Sequence, residues 1–415
     1  MTSRDDIVLP RSFLRLVWSN LAAQSAEQIA LAAAPIVAVL MLGAGAGQTG
    51  LLQTALTLPF LLFAVPAGLL ADRMSRRRLM VGAEVLRALA LLAVFALIQF
   101  QLLSWTWLAL LGFIAVCGTV TFSIAAPALV PSLVAAKALP VANSRIELAR
   151  TIAYAAGPAL GGILVGWIGA AVAFAVAAVL SIAAAVVLSG AEEPARPQST
   201  QRHPLQDVKE GAAFVFRHPP LAPVFVTQFV FNTAYFLILA VFVPHAVNHL
   251  GLSADGVGLT LGMIGVGMVV GALAAPRVIA SLNFGTVIAI GPLAGLASSI
   301  VLALTIVWPT PVLACISLFL LGCGPILWVI STTTLRQTVT PQNLLGRVSA
   351  VNIMSYSARP LGSAIGALVG GLYGVDACLL LAILGFAAQA VIICLSPAVR
   401  VERHSSLSGA GEQRA

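Results

Sequence analysis

Long apolar runs broken by short polar turns recur along the whole chain. Six centre near Ala30, Phe60, Ala90, Ala115, Leu160 and Val179, and six more near Phe236, Gly267, Leu293, Ser317, Gly362 and Leu384. A helix of about 20 apolar residues crosses a bilayer, and inside lipid every backbone polar group must find its partner within the protein. The pattern predicts an all-α membrane protein with twelve transmembrane helices. Met1 to Arg15 is short, polar and charged, unlike a cleavable signal, and the run behind it is long enough to span.

The longest polar stretch, Gly190 to Pro220, falls near the middle. Within it, Leu205 to Pro219 (LQDVKEGAAFVFRHP) sets Val208, Ala212, Phe214, Val215 and Phe216 against Asp207, Lys209, Glu210 and Arg217. That is the pattern of an interfacial amphipathic helix. The expected organisation is an N-terminal six-helix half over 1–189, a cytoplasmic linker over 190–220, a C-terminal six-helix half over 221–396 and a cytoplasmic tail over 397–415. The halves also repeat each other. One register pairs Arg145 with Arg347, Tyr154 with Tyr356 and Pro158 with Pro360; another pairs Asn20 with Gln228, Gln24 with Asn232 and Glu27 with Tyr235. Small residues follow at helical spacing in both: Gly157, Gly161, Gly162 and Gly166, then Gly362, Gly366 and Gly370. Two pseudo-symmetric halves suit alternating access, a transporter's design.

Composition narrows the class further. Of 415 residues, 60% are hydrophobic and 9% charged, against roughly 25% charged in soluble domains. A soluble enzyme, a disordered tail protein and a secreted disulfide scaffold are excluded. The net charge of +8 is a topology signal. With a cytoplasmic N-terminus, every Lys and Arg except Arg87, Arg150 and Arg359 falls on the cytoplasmic side, and the outer loops carry only Asp255 and Asp376. Both termini are then inside, and nucleic acid is not an expected partner. Cys117, Cys315, Cys323, Cys378 and Cys394 lie in apolar runs without CxxC spacing and read as membrane-core residues.

Between the second and third runs stands GLLADRMSRRRLM, Gly68 to Met80. It resembles the cytoplasmic signature of the major facilitator superfamily through Gly68, Leu70, Ala71, Asp72, Arg73, Arg76 and Arg77, with Ser75 where glycine is usual. The resemblance implies a two-half transporter fold in which this loop latches the halves in the outward-open state. Physically, Asp72 can face the positive N-terminus of a helix, and the arginines hold the loop at an anionic membrane face. The second-half counterpart, GALAAPR (Gly271 to Arg277), has no acid. GPALGG in the fifth run is similar to a helix-packing motif of superfamily exporters, carried by Gly157, Pro158, Gly161 and Gly162, with Ala153 at an upstream glycine position. Proline removes a backbone hydrogen bond and glycines admit close helix approach. Together with AEQ (Ala26 to Gln28), LPFLLFAVPAGLLADR, ALVPSLV, LPVANS and EGAAFVFRHP, the chain resembles the enterobactin-exporter and macrolide-efflux branch. The resemblance implies a bacterial inner-membrane protein. No charge stands between Phe113 and Ser123, which excludes coupling through the fourth-span arginine of many drug antiporters.

A charge in the membrane costs about 2.5–3.5 kcal/mol on insertion scales, so each one calls for a role. Glu27 is the lone acid inside the first run, on a polar face with Asn20, Gln24 and Gln28. It is the candidate for proton coupling or cation binding. Gln228, Asn232 and Tyr235, with Phe231 and Phe236 beside them, make a matching stripe in the seventh run, suited to amphipathic molecules. Asn352, Ser355, Tyr356 and Arg359 form a third polar face, with Arg359 open to either anion binding or a structural role. Glu84 with Arg87, and Glu147 with Arg150, read as neutralised pairs near cytoplasmic helix ends or as gate contacts. His245 and His249 read as structural or gating residues; a metal is not expected.

No HExxH, Walker loop or GxSxG elbow appears, so energy must come from a gradient and no cofactor is expected. The reading is a secondary transporter that exports small amphipathic compounds in exchange for protons, acting as a monomer. An importer or lipid facilitator on the same fold is the nearest rival. A sensor or assembly factor that keeps the scaffold without transporting is the rival of another class.

Overall fold

Apolar runs with no water to bond their amides fold as helices. The computed structural model describes residues 9–135, 138–194, 204–341 and 344–400, with fourteen α-helices and no strand among them. In order these are α1 (Arg11–Leu40), α2 (Ala46–Leu62), α3 (Ala64–Arg73), α4 (Arg76–Gln99), α5 (Trp105–Leu133), α6 (Leu139–Ile163) and α7 (Ala170–Ser189). Then follow α8 (Pro204–Arg217), α9 (Leu221–Asn248), α10 (Ala254–Ser281), α11 (Phe284–Leu304), α12 (Pro311–Val339), α13 (Leu345–Met354) and α14 (Ala358–Cys394).

Ten described stretches are long and apolar enough to cross a membrane, against twelve expected runs. Two backbone features account for the difference. The second run is divided at Phe63 into α2 and α3, because Pro66 has no N–H for the Leu62 carbonyl. The eleventh and twelfth runs are one stretch, α14, turned at Gly374 in a left-handed conformation (φ +83°) that glycine adopts without strain. The thiol of Cys378 comes within 3.6 Å of the Gly366 carbonyl across that turn. In a straight helix the two would be about 18 Å apart, so α14 is a hairpin of two spans. The fold is therefore an all-α membrane fold of twelve spans. A third break, the 3-10 turn Ser355–Ser357, separates α13 from α14 just ahead of Pro360.

By internal contact the chain divides into two compact units. The first comprises Met1–Leu42, Ala55–Ser199 and Ala254–Leu259. In it α1 packs against α6 and α7, and α4 packs between α5 and α7. Phe13, Leu16, Phe122, Leu129 and Leu188 belong to one buried cluster. The second unit comprises Gly43–Thr54, Thr200–Ser253 and Thr260–Ala415. There α9 packs along α14, α11 along α12, and α8 against α13. Val179 in the first unit, and Leu273, Leu368 and Leu384 in the second, are large and exposed. Side chains whose solvent is lipid need no polar cover.

Candidate functional site

The first span places its polar residues on more than one surface. Asn20, Gln24, Glu27 and Gln28 are all buried, yet Glu27 and Gln28 point about 100° apart around the helix. The Asn20 amide donates to the Ile146 carbonyl on α6 at 3.3 Å. Gln28 lies against Gly157, where an added Cβ would stand 2.3 Å from its own Cβ. Glu27 instead lines a mostly apolar pocket within the first unit, shared with Leu56, Arg87, Leu91, Thr119 and Phe174. The expected continuous polar face is thus divided: Asn20 and Gln28 serve packing against α6, and Glu27 faces a cavity.

Arg87 and Glu84 lie far from any helix end. Counted from Arg76, they are about 16 and 12 Å along α4, and they are 2% and 0% exposed. Their guanidinium and carboxylate form an ion pair. Arg87 also donates from Nε to Ser181 Oγ and from Nη1 to Thr119 Oγ1, each at 3.0 Å. The neutralised pair expected of them is present, two to three turns into α4 from its first residue. Glu147 and Arg150 form the pair expected of them, at 2.5 Å with both side chains exposed. Arg150 also sits 5.5 Å over the Tyr154 ring.

The GLLADRMSRRR segment turns between α3 and α4. Met74 is extended, and Ser75 caps α4 by accepting from the Arg78 amide at 3.2 Å. A carboxylate does meet a helix N-terminus here, and it is Glu193. Its oxygens accept from Ser75 Oγ (2.5 Å) and from the amides of Arg76 (3.1 Å) and Arg77 (3.0 Å). Arg77 reaches the carbonyl of Ala191 at 2.8 Å, and Arg76 reaches that of Ala128. Ser75, in place of glycine, supplies both the cap and a donor to Glu193. Arg73 closes α3 and is exposed, and Gly68 has open space beside it. The side chain of Asp72 lies outside the described residues.

GPALGG supplies the surface on which α6 meets its neighbours. A Cβ at Gly161 would stand 2.8 Å from the Ile29 carbonyl of α1, and one at Gly162 would stand 2.5 Å from Gly258 Cα, in the opening of α10 that belongs to this unit. The second unit repeats the device. A Cβ added at Gly362 would stand 2.1 Å from the Thr233 carbonyl, one at Gly366 2.8 Å from Ala240 Cβ, and one at Gly50 2.4 Å from Ala367 Cα.

In the second unit the α9 stripe becomes an aromatic cluster. Phe231 stacks on Tyr235 at 5.6 Å, Tyr235 meets Phe236 edge-on at 5.2 Å, and Phe386 closes on Phe231 at 5.8 Å. Arg359 lies over the Tyr356 ring at 4.1 Å and the Phe236 ring at 5.3 Å, both cation–π distances. The Asn232 amide donates to its own helix, to the Gln228 carbonyl at 2.8 Å. The third polar face is interrupted by the 3-10 turn, where Ser355 donates to the Asn352 carbonyl at 2.7 Å.

At the far end of α9 the His245 and His249 rings stack at 5.0 Å. His245 Nε2 is 2.7 Å from Thr305 Oγ1, and His249 Nε2 is 3.1 Å from the Thr305 carbonyl, tying α9 to the end of α11. No metal-binding group of three ligands occurs among the described residues, and all five cysteines are free thiols. The amphipathic helix predicted in the linker is α8. Its Val215 packs with Leu221, Val348 and Val351, and Glu210 pairs with Arg347 at 2.5 Å. Just past it, burial holds the His218 imidazole below its ordinary pKa of 6.5.

The fold is that of a polytopic helical membrane protein. The Major Facilitator Superfamily family model matches residues 16–367, and the chain belongs to that superfamily. An uncharacterized MFS-type transporter of Sinorhizobium fredii, y4rN, is 29% identical over 60% of this chain and 63% of its own length. Among solved structures, the nucleoside transporter NupG is similar with a TM-score of 0.72 at 14% identity, covering 94% of this chain and all of its own. A bacterial homolog of the human lysosomal transporter Spinster, in an inward-facing, unoccupied conformation, reaches 0.72 at 13% identity, over 97% of this chain and 98% of its own. A D-xylose-proton symporter reaches 0.71 at 12% identity, over 94% and 99%. Likeness at such identities is a likeness of fold.

Proposed function

We propose that the chain is a proton-coupled antiporter of the bacterial inner membrane that exports small amphipathic compounds by alternating access, with both termini cytoplasmic. The observation that carries this reading is Glu27, a carboxylate 8% exposed in the first span beside a cavity it shares with Arg87. A carboxylate in that setting changes charge by taking or losing a proton, which gives a membrane potential something to act on. One proton crossing 100 mV is worth about 2.3 kcal/mol. At 1.4 kcal/mol per decade that sustains roughly a 40-fold solute gradient.

In this reading residues 1–189 and 221–396 are the two alternating halves and 190–220 links them. Gln24 and Asn20 steady the Glu27 helix. Gln228, Asn232, Tyr235 and Arg359, among Phe231, Phe236 and Tyr356, receive a compound with an aromatic or apolar body and few polar groups. Gly68, Asp72, Arg73, Arg76 and Arg77 form the cytoplasmic gate loop. Export as the direction rests on the GPALGG match and on the resemblance to the efflux branch.

The test is untargeted mass spectrometry of cells and medium for wild-type, deletion and Glu27→Gln strains, each with and without a protonophore. The expected result is a compound that accumulates in deletion cells and disappears from their medium, with Glu27→Gln and the protonophore both reproducing the deletion. A compound that builds up in the medium instead would make the protein an importer. Undiminished protonophore-sensitive export by Glu27→Gln would remove the carboxylate from the mechanism.

A further inference from the structure

Arg336 stands half-buried in the last turn of α12. A helix C-terminus favours a cation there, yet the donors of this one are little used. A guanidinium carries five N–H donors in a planar fork. Among the described residues Arg336 makes one hydrogen bond, from Nη2 to Thr333 Oγ1 of its own helix, at 3.4 Å. No described carboxylate pairs with it. Glu210 of α8 is taken by Arg347 of α13, and Asp376 lies beyond the Gly374 turn of α14. The side chain of Asp207 lies outside the described residues. Tyr356, which acts on the charge of Arg336, brings a phenol.

A second polar group meets Arg336 from another helix. The pocket that Arg336 lines is shared with Thr332 of α12 and Asn352 of α13, beside Val215 of α8, Phe225 of α9 and Val348 of α13. The backbone carbonyl of Asn352 accepts from Ser355, whereas its side-chain amide, half-buried, has no hydrogen-bond partner among the described residues. The 3-10 turn that parts Asn352 from Arg359 therefore leaves it facing Arg336. A guanidinium fork and an amide N–H are the donors an oxyanion takes, and apolar walls strengthen such bonds by keeping water away. Lys209, Arg217 and Arg347 on the adjoining α8 and α13 add charge of the same sign, which draws anions in.

We propose that Arg336 and Asn352 form an anion-binding site that takes one carboxylate or phosphate group, the guanidinium holding its oxygens and the Asn352 amide donating beside it. The site shares no residue with the Glu27 pocket or the Arg359 cluster, and it does not rest on the transport reading.

The test follows thermal unfolding of the purified full chain in nanodiscs at pH 7 and constant ionic strength. One arm titrates inorganic phosphate or acetate in phosphatidylcholine; the other replaces part of that lipid with phosphatidylglycerol and adds no anion. A ligand of the folded state raises the melting temperature. Phosphate also stabilises folded chains generally, so the reading is the difference between wild type and variant. Wild type is expected to gain in one arm. Arg336→Gln should bind at least about ten-fold more weakly, with Arg336→Lys and Asn352→Ala between them and Arg217→Gln like wild type. Without anion, Arg336→Gln should melt no lower than wild type, whereas an arginine needed for packing would already cost stability there. A difference confined to phosphatidylglycerol makes the anion a lipid headgroup; one seen with phosphate or acetate makes it a soluble solute. Equal gains in wild type, Arg336→Gln and Asn352→Ala, or no gain in either arm, would overturn the proposal. Where Arg336→Gln fails to give a monodisperse protein, Arg336→Lys and Asn352→Ala decide.

Discussion

Arg87 and Arg359 are arginines inside the membrane, one in each compact unit, and their surroundings differ in kind. Arg87 is 2% exposed, paired with Glu84 and bonded to two hydroxyls. The ring faces of Tyr356 and Phe236 lie against Arg359, at 4.1 and 5.3 Å. A guanidinium met by a carboxylate belongs to the charge balance of the fold. One lying against π-faces is held by the negative faces of the rings. The same residue type thus sits in a charge-paired, hydroxyl-bonded setting in the first unit and in an aromatic one in the second.

The largest effect should come from exchanging each arginine for glutamine. Arg87→Gln leaves Glu84 buried without its cation, costing about 3–5 kcal/mol. The cost is greatest at alkaline pH and smaller at acid pH, where protons replace the cation. Arg359→Gln loses two ring contacts worth about 1 kcal/mol each and impairs transport more than stability. Thermal unfolding of both variants in one detergent checks this, and equal losses would erase the contrast.

Next come the glycines, where the units should agree. Gly157→Ala and Gly362→Ala each drive a methyl into a helix neighbour, at 2.3 and 2.1 Å, and should cost about 1–3 kcal/mol apiece. Gly68→Ala, with nothing within 4 Å, should stay within about 0.5 kcal/mol. The same melting series reads all three.

Smaller again is Glu193→Ala, which removes the acceptor from three donors at the start of α4 and should cost about 1 kcal/mol. Faster amide exchange at Arg76 and Arg77 would register it; unchanged exchange would show that Ser75 suffices as the cap. The smallest concerns His218. Burial favours its neutral form, so its contacts hold above its ordinary 6.5 and weaken as pH falls below it. Hydrogen exchange over 209–217 should rise from pH 7.5 to 5.5 in wild type and not in His218→Leu.

Spans, linker helix and family were legible because each is written in a local pattern: apolar length, amphipathic spacing, and a signature of adjacent residues. What escaped depends on contacts between distant residues or on backbone punctuation. Glu193 read as one acid in a polar linker, and its role at α4 arises 116 residues from Arg77. The burial of Glu84 and Arg87 depends on Ser181 and Thr119, which lie 94 and 32 residues from Arg87. Pro66, Pro360 and Gly374 carried the signals for the breaks at Phe63, Ser355–Ser357 and the α14 turn. The α1 stripe was seen as one face, although Gln28 lies a quarter-turn or more from Glu27 and is occupied by Gly157.

The measurement that bears most directly on the role of Glu27 is a pair of assays on proteoliposomes, using the compound identified by mass spectrometry. One follows accumulation driven by an imposed pH gradient, and the other follows counterflow exchange with no gradient. Glu27→Gln is predicted to lose gradient-driven accumulation by at least about ten-fold, roughly 1.4 kcal/mol of driving force, while keeping counterflow near wild type. Gradient-driven accumulation that persists in Glu27→Gln at the wild-type level would contradict the assignment of coupling to this carboxylate.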